Sequence, residues 1–318
     1  MMALKGADFP IRGANPVVRF SPAVYGAELC RERLLLMEVW GMMIAGFAAL
    51  VAGLLLRRGR LCPGSATDCL ILLAPVLEAV ALAMFAAEHF TAAASLLGVV
   101  PGWMPFPLFW VYFVGVALLA AAVSFLAARC VRWSALLLAL FFLLVVACAD
   151  VPAMAAQAHE RLFWSLFVRE ISFAGGAMVL AASDLPLSST ARAWLARIGR
   201  SIVALVLAFY AMEHFLYPHF APGVPLQKMT PTWVPAPVLL ADMVGAVLLA
   251  SAIGLFLPRL VRPAAAAAGG ILLLLTVFFY GPIFLLEMHT PLAVEGMNYV
   301  GDTLLFAATV LMSGLVTE

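Results

Sequence analysis

Glu88-His89-Phe90 and Glu213-His214-Phe215 are the same three residues in the same order, each closing a long apolar run. Each is followed by a second shared signature. In the first copy it is Trp103-Met104-Pro105-Phe106-Pro107; in the second it is Trp233-Val234-Pro235-Ala236-Pro237. Gly115 and Gly245 then stand eight residues beyond Pro107 and Pro237. Rare polar pairs recurring at matching places in a mostly apolar chain point to a duplicated unit.

Hydrophobic residues make up 65% of the 318, and charged residues 11%. Mean hydropathy is +1.09. A soluble domain has nowhere to hide that much apolar surface, so the composition predicts an all-α, polytopic membrane protein with the lipid bilayer as its main partner. The net charge of +1 suggests no nucleic-acid partner. The five cysteines (Cys30, Cys62, Cys69, Cys130, Cys148) show no Cys-x-x-Cys and no metal-ligand spacing, and an odd count leaves one thiol free. They read as small apolar filler. The N-terminus is polar and mixed, with Pro10 and Pro16, and does not read as a cleaved signal.

In chain order, residues 1–33 read as a tail, irregular or lying on the membrane surface. Residues 34–69 read as an extra transmembrane helix with its loop; the apolar run matches the roughly 20 residues that cross a hydrocarbon core. Residues 70–183 and 200–318 read as two four-helix repeats, and 184–199, with Pro186, Arg192 and Arg197, as the linker between them. Proline density in 91–107 and 217–237 breaks a helix, so each stretch is a surface-level loop or re-entrant turn. Counted from Phe90 to Trp103 and from Phe215 to Trp233, the second loop is five residues longer. An even number of helices per repeat makes the copies parallel, related by a pseudo-two-fold axis along the membrane normal. The total is nine spans, with no Gly- or Pro-broken helix expected at mid-membrane.

Positive charge sets the orientation. The loops after spans one, three, five and seven hold ten arginines, against Arg161, Arg169 and Lys228 on the other side. The arginine-rich loops are therefore expected in the cytoplasm. The basic residues of the tail fall on the opposite side in a nine-span chain. All five histidines then lie on the non-cytoplasmic side, with Glu88, Asp150, Glu160, Glu213, Glu287 and Glu295.

An acidic-His-Phe ending the first helix, a Pro/Trp loop, a glycine in the second helix and an acidic residue early in the last helix together resemble the DoxX-like membrane proteins. The resemblance covers 70–183 and 200–316. It implies an integral membrane subunit or accessory protein, linked to thiol, sulfur or quinone redox systems, in a bacterial cytoplasmic membrane. It implies no agreed catalytic residue and no particular cofactor.

The candidate ligand-binding residues are Glu88, His89, Trp103, Glu170, Glu213, His214, Trp233, His289 and Asp302. Ionisable groups in a membrane are costly, which makes each a functional hypothesis. Neighbours on a helix point about 100° apart, so Glu and His of one pair cannot face one ligand. The pairs are therefore expected to tie the first helix to its loop. Trp103 and Trp233 read as interfacial anchors. Glu170 and Asp302 read as helix caps or internal hydrogen-bond partners, with a proton-relay role as the alternative. Gly175-Gly176, Gly269-Gly270 and 264–268 allow close helix approach. The expected function is a membrane subunit that docks a redox complex or binds quinone or lipid. The alternatives are a small-molecule transporter and a membrane enzyme with metal or haem at an outer histidine cluster; no metal-ligand set is apparent.

Overall fold

The computed structural model describes residues 22–59, 64–224 and 227–317, and over 22–36 only the helical backbone. Residues 1–21, Arg60, Cys62 and Glu318, on which some expectations rest, lie outside the described residues. Nine long helices follow one another: α1 Pro22–Arg57, α2 Ala66–Thr91, α3 Pro107–Ala127, α4 Val131–Ala156, α5 Arg161–Ser183, α6 Thr190–Leu216, α7 Pro237–Leu255, α8 Val261–Glu287 and α9 Ala293–Met312. The first eight are long and apolar enough to cross a membrane. The chain is an all-α, multi-pass membrane protein.

Three boundaries differ from expectation. Helix α1 starts at Pro22, inside the stretch read as a tail. Helix α6 starts at Thr190, so the linker shrinks to 184–189 and Arg192, Arg197 and Arg200 are helical. The cause is local: Ser189 caps the helix, its side chain accepting from the Arg192 N–H, and arginine is a good helix former. Helix α9 begins at Ala293, five residues before the start expected at Asn298, because Glu295 hides its first turn from a hydropathy reading.

Helix α9 can be polar because protein, rather than lipid, surrounds it. It packs against α2, α5, α8 and α1, and every residue from Leu305 to Met312 is buried. Around it the helices form a closed ring in which each packs on the next from α2 to α9, and α9 packs back on α2. The fourth helix of each repeat, α5 or α9, thus lies against the first helix of the other repeat. Helices α5 and α9 also meet each other at the centre. Helix α1 lies outside this ring, on α2. All arginine-rich turns fall at one end of the bundle, called here the arginine-rich end; the two Glu-His-Phe stretches mark the acid-rich end.

The repeats share details that no hydropathy pattern requires. Phe106 and Ala236 both take left-handed backbone (φ 55° and 47°) immediately before Pro107 and Pro237 at the starts of α3 and α7. Proline suits that first helical position because its fixed φ is already helical and its missing N–H would have no partner there. Helices α4 and α8 are both interrupted by a π turn, Val146–Asp150 and Thr276–Tyr280. Pro152 and Pro282 follow and cannot donate to the carbonyls four residues back. The ladder widens instead: the N–H of Val151 donates to Val146 O, and that of Gly281 to Thr276 O. Both third helices therefore bulge in the acid-rich half of the bundle, while each still runs through as one span.

Candidate functional site

The two Glu-His-Phe stretches hold identical geometry. Nδ1–H of His89 donates to Phe85 O at 2.8 Å, and Nδ1–H of His214 to Tyr210 O at 2.6 Å. Each histidine then lies on the glycine of the next helix. A methyl built on Gly115 would come within 2.8 Å of His89 Cβ, and one on Gly245 within 3.0 Å of His214 Cβ. The glycines let α3 and α7 approach that closely.

The glutamates leave their own repeat. Glu88 Oε1 accepts from Asn298 Nδ2 at 2.9 Å, across to α9. Glu213 Oε2 accepts from Arg161 Nη1 at 2.5 Å and from Ser165 Oγ at 3.3 Å, across to α5. The 100° between neighbours on a helix thus separates two jobs: histidine joins helices within a repeat, and glutamate joins the repeats.

The loops diverge. The segment 92–106 makes two short turns, and most of it is exposed. In 217–237, Phe220 and Met229 form an isolated antiparallel bridge, and Ala221 N donates to Lys228 O at 2.8 Å. Residues Ala221 to Val224 then dip into the bundle and are buried. His214 Nε2 accepts from Gly223 N at 2.8 Å, and Tyr280 Oη donates to Pro222 O at 2.7 Å. Gly223 has φ +106°, which a side chain would strain.

Between α5 and α9 lies a charged cluster. Arg169 Nη1 stands 2.5 Å from Asp302 Oδ2, and Arg169 Nη2 3.0 Å from Glu170 Oε1. Asp150, from the π turn of α4, is an electrostatic neighbour of both Glu170 and Arg169. Three carboxyl groups therefore surround one guanidinium. The side chains of Arg169, Glu170 and Asp302 are 12%, 14% and 17% exposed, so they are mostly but not fully enclosed. Arg169 Nε and Asp150 Oδ2 are buried without a hydrogen-bond partner among the described residues. Tyr210 stands close by, its hydroxyl donating to Ser165 O and its ring edge-on to Phe306.

The two other basic residues at this end are also held by acids. Arg161 pairs with Glu213 and lies over the Phe220 ring at 4.1 Å. Lys228 bonds both oxygens of Glu287 at 2.8 and 3.0 Å, with Glu295 at 3.7 Å. Lys228 also lies over Tyr299, which is stacked on Tyr280.

Of the predicted residues, the structure joins Glu170 with Asp302 and carries Glu88 and Glu213 across the repeat boundary. Glu170 and Asp302 lie nine residues into their helices, so they are not caps. Trp103 and Trp233 are exposed on the surface, and His289 stands exposed in a turn. His159 and His219 are exposed too. Among the described residues no group of three or more His, Cys, Asp or Glu could hold a metal ion. The Nε2 of His214 is already taken by Gly223. Sequence reasoning missed Arg169, Asp150, Asn298, Tyr210 and Tyr280 as site residues. The adjacency of Arg169 to Glu170 inside a span was the available signal.

One family, described as Domain of unknown function (DUF8561), matches residues 78–183. The matched stretch runs from inside α2 to the last residue of α5, within the first repeat. No curated protein and no solved structure matches.

Proposed function

We propose that the chain is an integral membrane accessory subunit of the DoxX-like kind, whose interior between α5 and α9 binds the polar head of a quinone or lipid for a partner complex. The observation that carries this reading is the Arg169 cluster. It joins both repeats, lies inside the helical bundle and keeps unused polar atoms. Arg169 Nε–H would donate to a carbonyl or phosphate oxygen, and Asp150 Oδ2 would accept from a hydroxyl or ammonium. A few fixed polar groups in apolar walls are what orients a small ligand. The test is purification in mild detergent, followed by mass spectrometry of extracted quinones, lipids and co-purifying proteins. A quinone or particular lipid should be retained by the parent and lost from a folded Arg169→Met variant. Identical extracts, with no partner protein, would sink the reading.

A second reading, small-molecule transport, is favoured by the matched π turns before Pro152 and Pro282. Helices interrupted at corresponding positions of two repeats are a pointer to a transport site. Flux of candidate solutes into proteoliposomes, compared with Pro152→Ala and Pro282→Ala variants, tests it.

A further inference from the structure

We infer that a proton path runs the length of α9, with Glu78 as its membrane-embedded proton carrier. This goes beyond the ligand reading and does not depend on which ligand binds the Arg169 cluster.

Asn298, Asp302, Thr309 and Ser313 are spaced i, i+4, i+11 and i+15, which places them along one face of α9 and the residue that follows it. At about 1.5 Å per residue they span about 22 Å. The acid-rich end of this stripe is in use: Asn298 bonds Glu88, and Asp302 bonds Arg169. The other end is not. Thr309 and Ser313 are both 0% exposed, and neither hydroxyl has a hydrogen-bond partner among the described residues.

Glu78 on α2 fills the same description. It is 0% exposed, and both carboxyl oxygens lack a partner among the described residues. Three contacts fix how α2 runs against α9: Glu88 with Asn298, Phe85 with Gly301 and Ile71 with Gly314. The helices are antiparallel, one residue up for one residue down. That register sets Glu78 level with Ala308, next to Thr309. Ile71 and Phe85 lie seven residues either side of Glu78, so all three share the face of α2 turned to α9.

Among the described residues, no charge answers Glu78 from the helices packed on α2; Arg57 of α1 bonds Phe125 O on α3. Glu38 of α1 and Asp302 of α9 act on Glu88 instead, and Glu295 is near Lys228. Arg262 of α8 pairs with Asp68. Helix α3 contributes no ionisable side chain but Tyr112, near its acid-rich end. An isolated carboxylate in an apolar interior is very costly, and a bound proton removes that cost with no further ligand. A metal cation would need several more oxygens than the two hydroxyls supply.

Packing does not require these groups. Matching Glu88 to Glu213 puts Val203 where Glu78 stands; matching Glu170 to Asp302 puts Ala177 and Ala181 where Thr309 and Ser313 stand. In each case the other repeat builds the matching position from an apolar side chain. Hydroxyls both donate and accept, so Thr309 and Ser313 can hand a proton onward. The stripe ends beside Gly314, whose carbonyl accepts from Arg262 at 3.0 Å. Arg262 in turn pairs with Asp68, where both side chains reach solvent. In one cycle a proton from the acid-rich cluster adds to the Glu78 carboxylate. It then leaves through Thr309 and Ser313 to Asp68 or water, and no electron moves.

The test uses the full chain in liposomes with an entrapped pH dye and an imposed potassium diffusion potential. Proton influx should exceed that of protein-free liposomes, fall to that background in Glu78→Gln and return in part in Glu78→Asp. Thr309→Val, which keeps shape and removes the hydroxyl, should slow influx at unchanged thermal stability. Infrared spectra should show a carboxylic acid C=O band that is lost in Glu78→Gln. Influx equal in parent and Glu78→Gln, influx no greater than background, or no such band would each overturn the inference. Ligand retention at the Arg169 cluster is read separately, so failure of one proposal leaves the other standing.

Discussion

Arg169 of α5 and Asp302 of α9 form an ion pair across the centre of the bundle, Nη1 to Oδ2 at 2.5 Å, with one residue from each repeat. It stands where the two fourth helices meet, with Glu170 on the same guanidinium.

Removing one side of this pair strands buried charge. Arg169→Met leaves Asp302 and Glu170 without their cation and should destabilise the fold by about 3–5 kcal/mol. Adding Asp302→Leu should restore part of that loss. Unfolding in detergent measures both. An unchanged midpoint for Arg169→Met would mean that the pair contributes nothing to the join.

The glycines under the histidines carry a sharper expectation. Gly115→Ala and Gly245→Ala push a methyl against a helix and should each cost about 1–3 kcal/mol. Gly98 and Gly102 face open space, with nothing within 4 Å, and their alanine variants serve as controls. If all four variants melt together, close helix approach is not what the repeated glycine provides.

The histidines should separate. His214→Ala frees the Gly223 N–H as well as a helix carbonyl and should cost about 1–3 kcal/mol. It should also open the 217–237 segment to protease. His89→Ala has no inserted loop to release and should leave cleavage unchanged. Limited proteolysis with mass mapping reads the difference; equal cleavage of the two variants would contradict the loop's dependence on His214.

Cys130 offers a topology probe. It is exposed in the turn between α3 and α4, beside Arg129. In a variant with Cys130 as the sole cysteine, an impermeant maleimide should label only after the cells are opened. A cysteine placed at His159 should label in intact cells. The reverse pattern would invert the orientation.

Much of this was legible in the sequence, and the exceptions have physical causes. Apolar runs gave all nine helices, though not all of their ends, since lipid demands apolar faces. Helix α9 escaped full recognition because protein neighbours relieve it of that demand. The Gly115 and Gly245 spacing was visible, but the object under each glycine was not. The partners of Glu88 and Glu213 lie on the opposite repeat, more than forty residues away along the chain, and local spacing carries no trace of them. Pro152 and Pro282 were visible as prolines, yet the π turns before them depend on how the ladder repairs itself. Arg169 entered the sequence reading as one more charge on the wrong side; only the fold shows that carboxylates hold it.

The crossed placement of the fourth helices bears on how such a protein could arise. A lone four-helix unit would leave its Glu-His-Phe carboxylate facing a gap, and a second unit would have to complete it. Two identical units could do so as a homodimer, but they would carry the same residue at both equivalent places. One continuous chain lifts that constraint. Here the last position of the π turn holds a carboxyl at Asp150 and a phenol at Tyr280, and one half grips its own loop while the other turns an acid toward the Arg169 cluster. Fusion has let the halves divide labour that a symmetric pair would have to share.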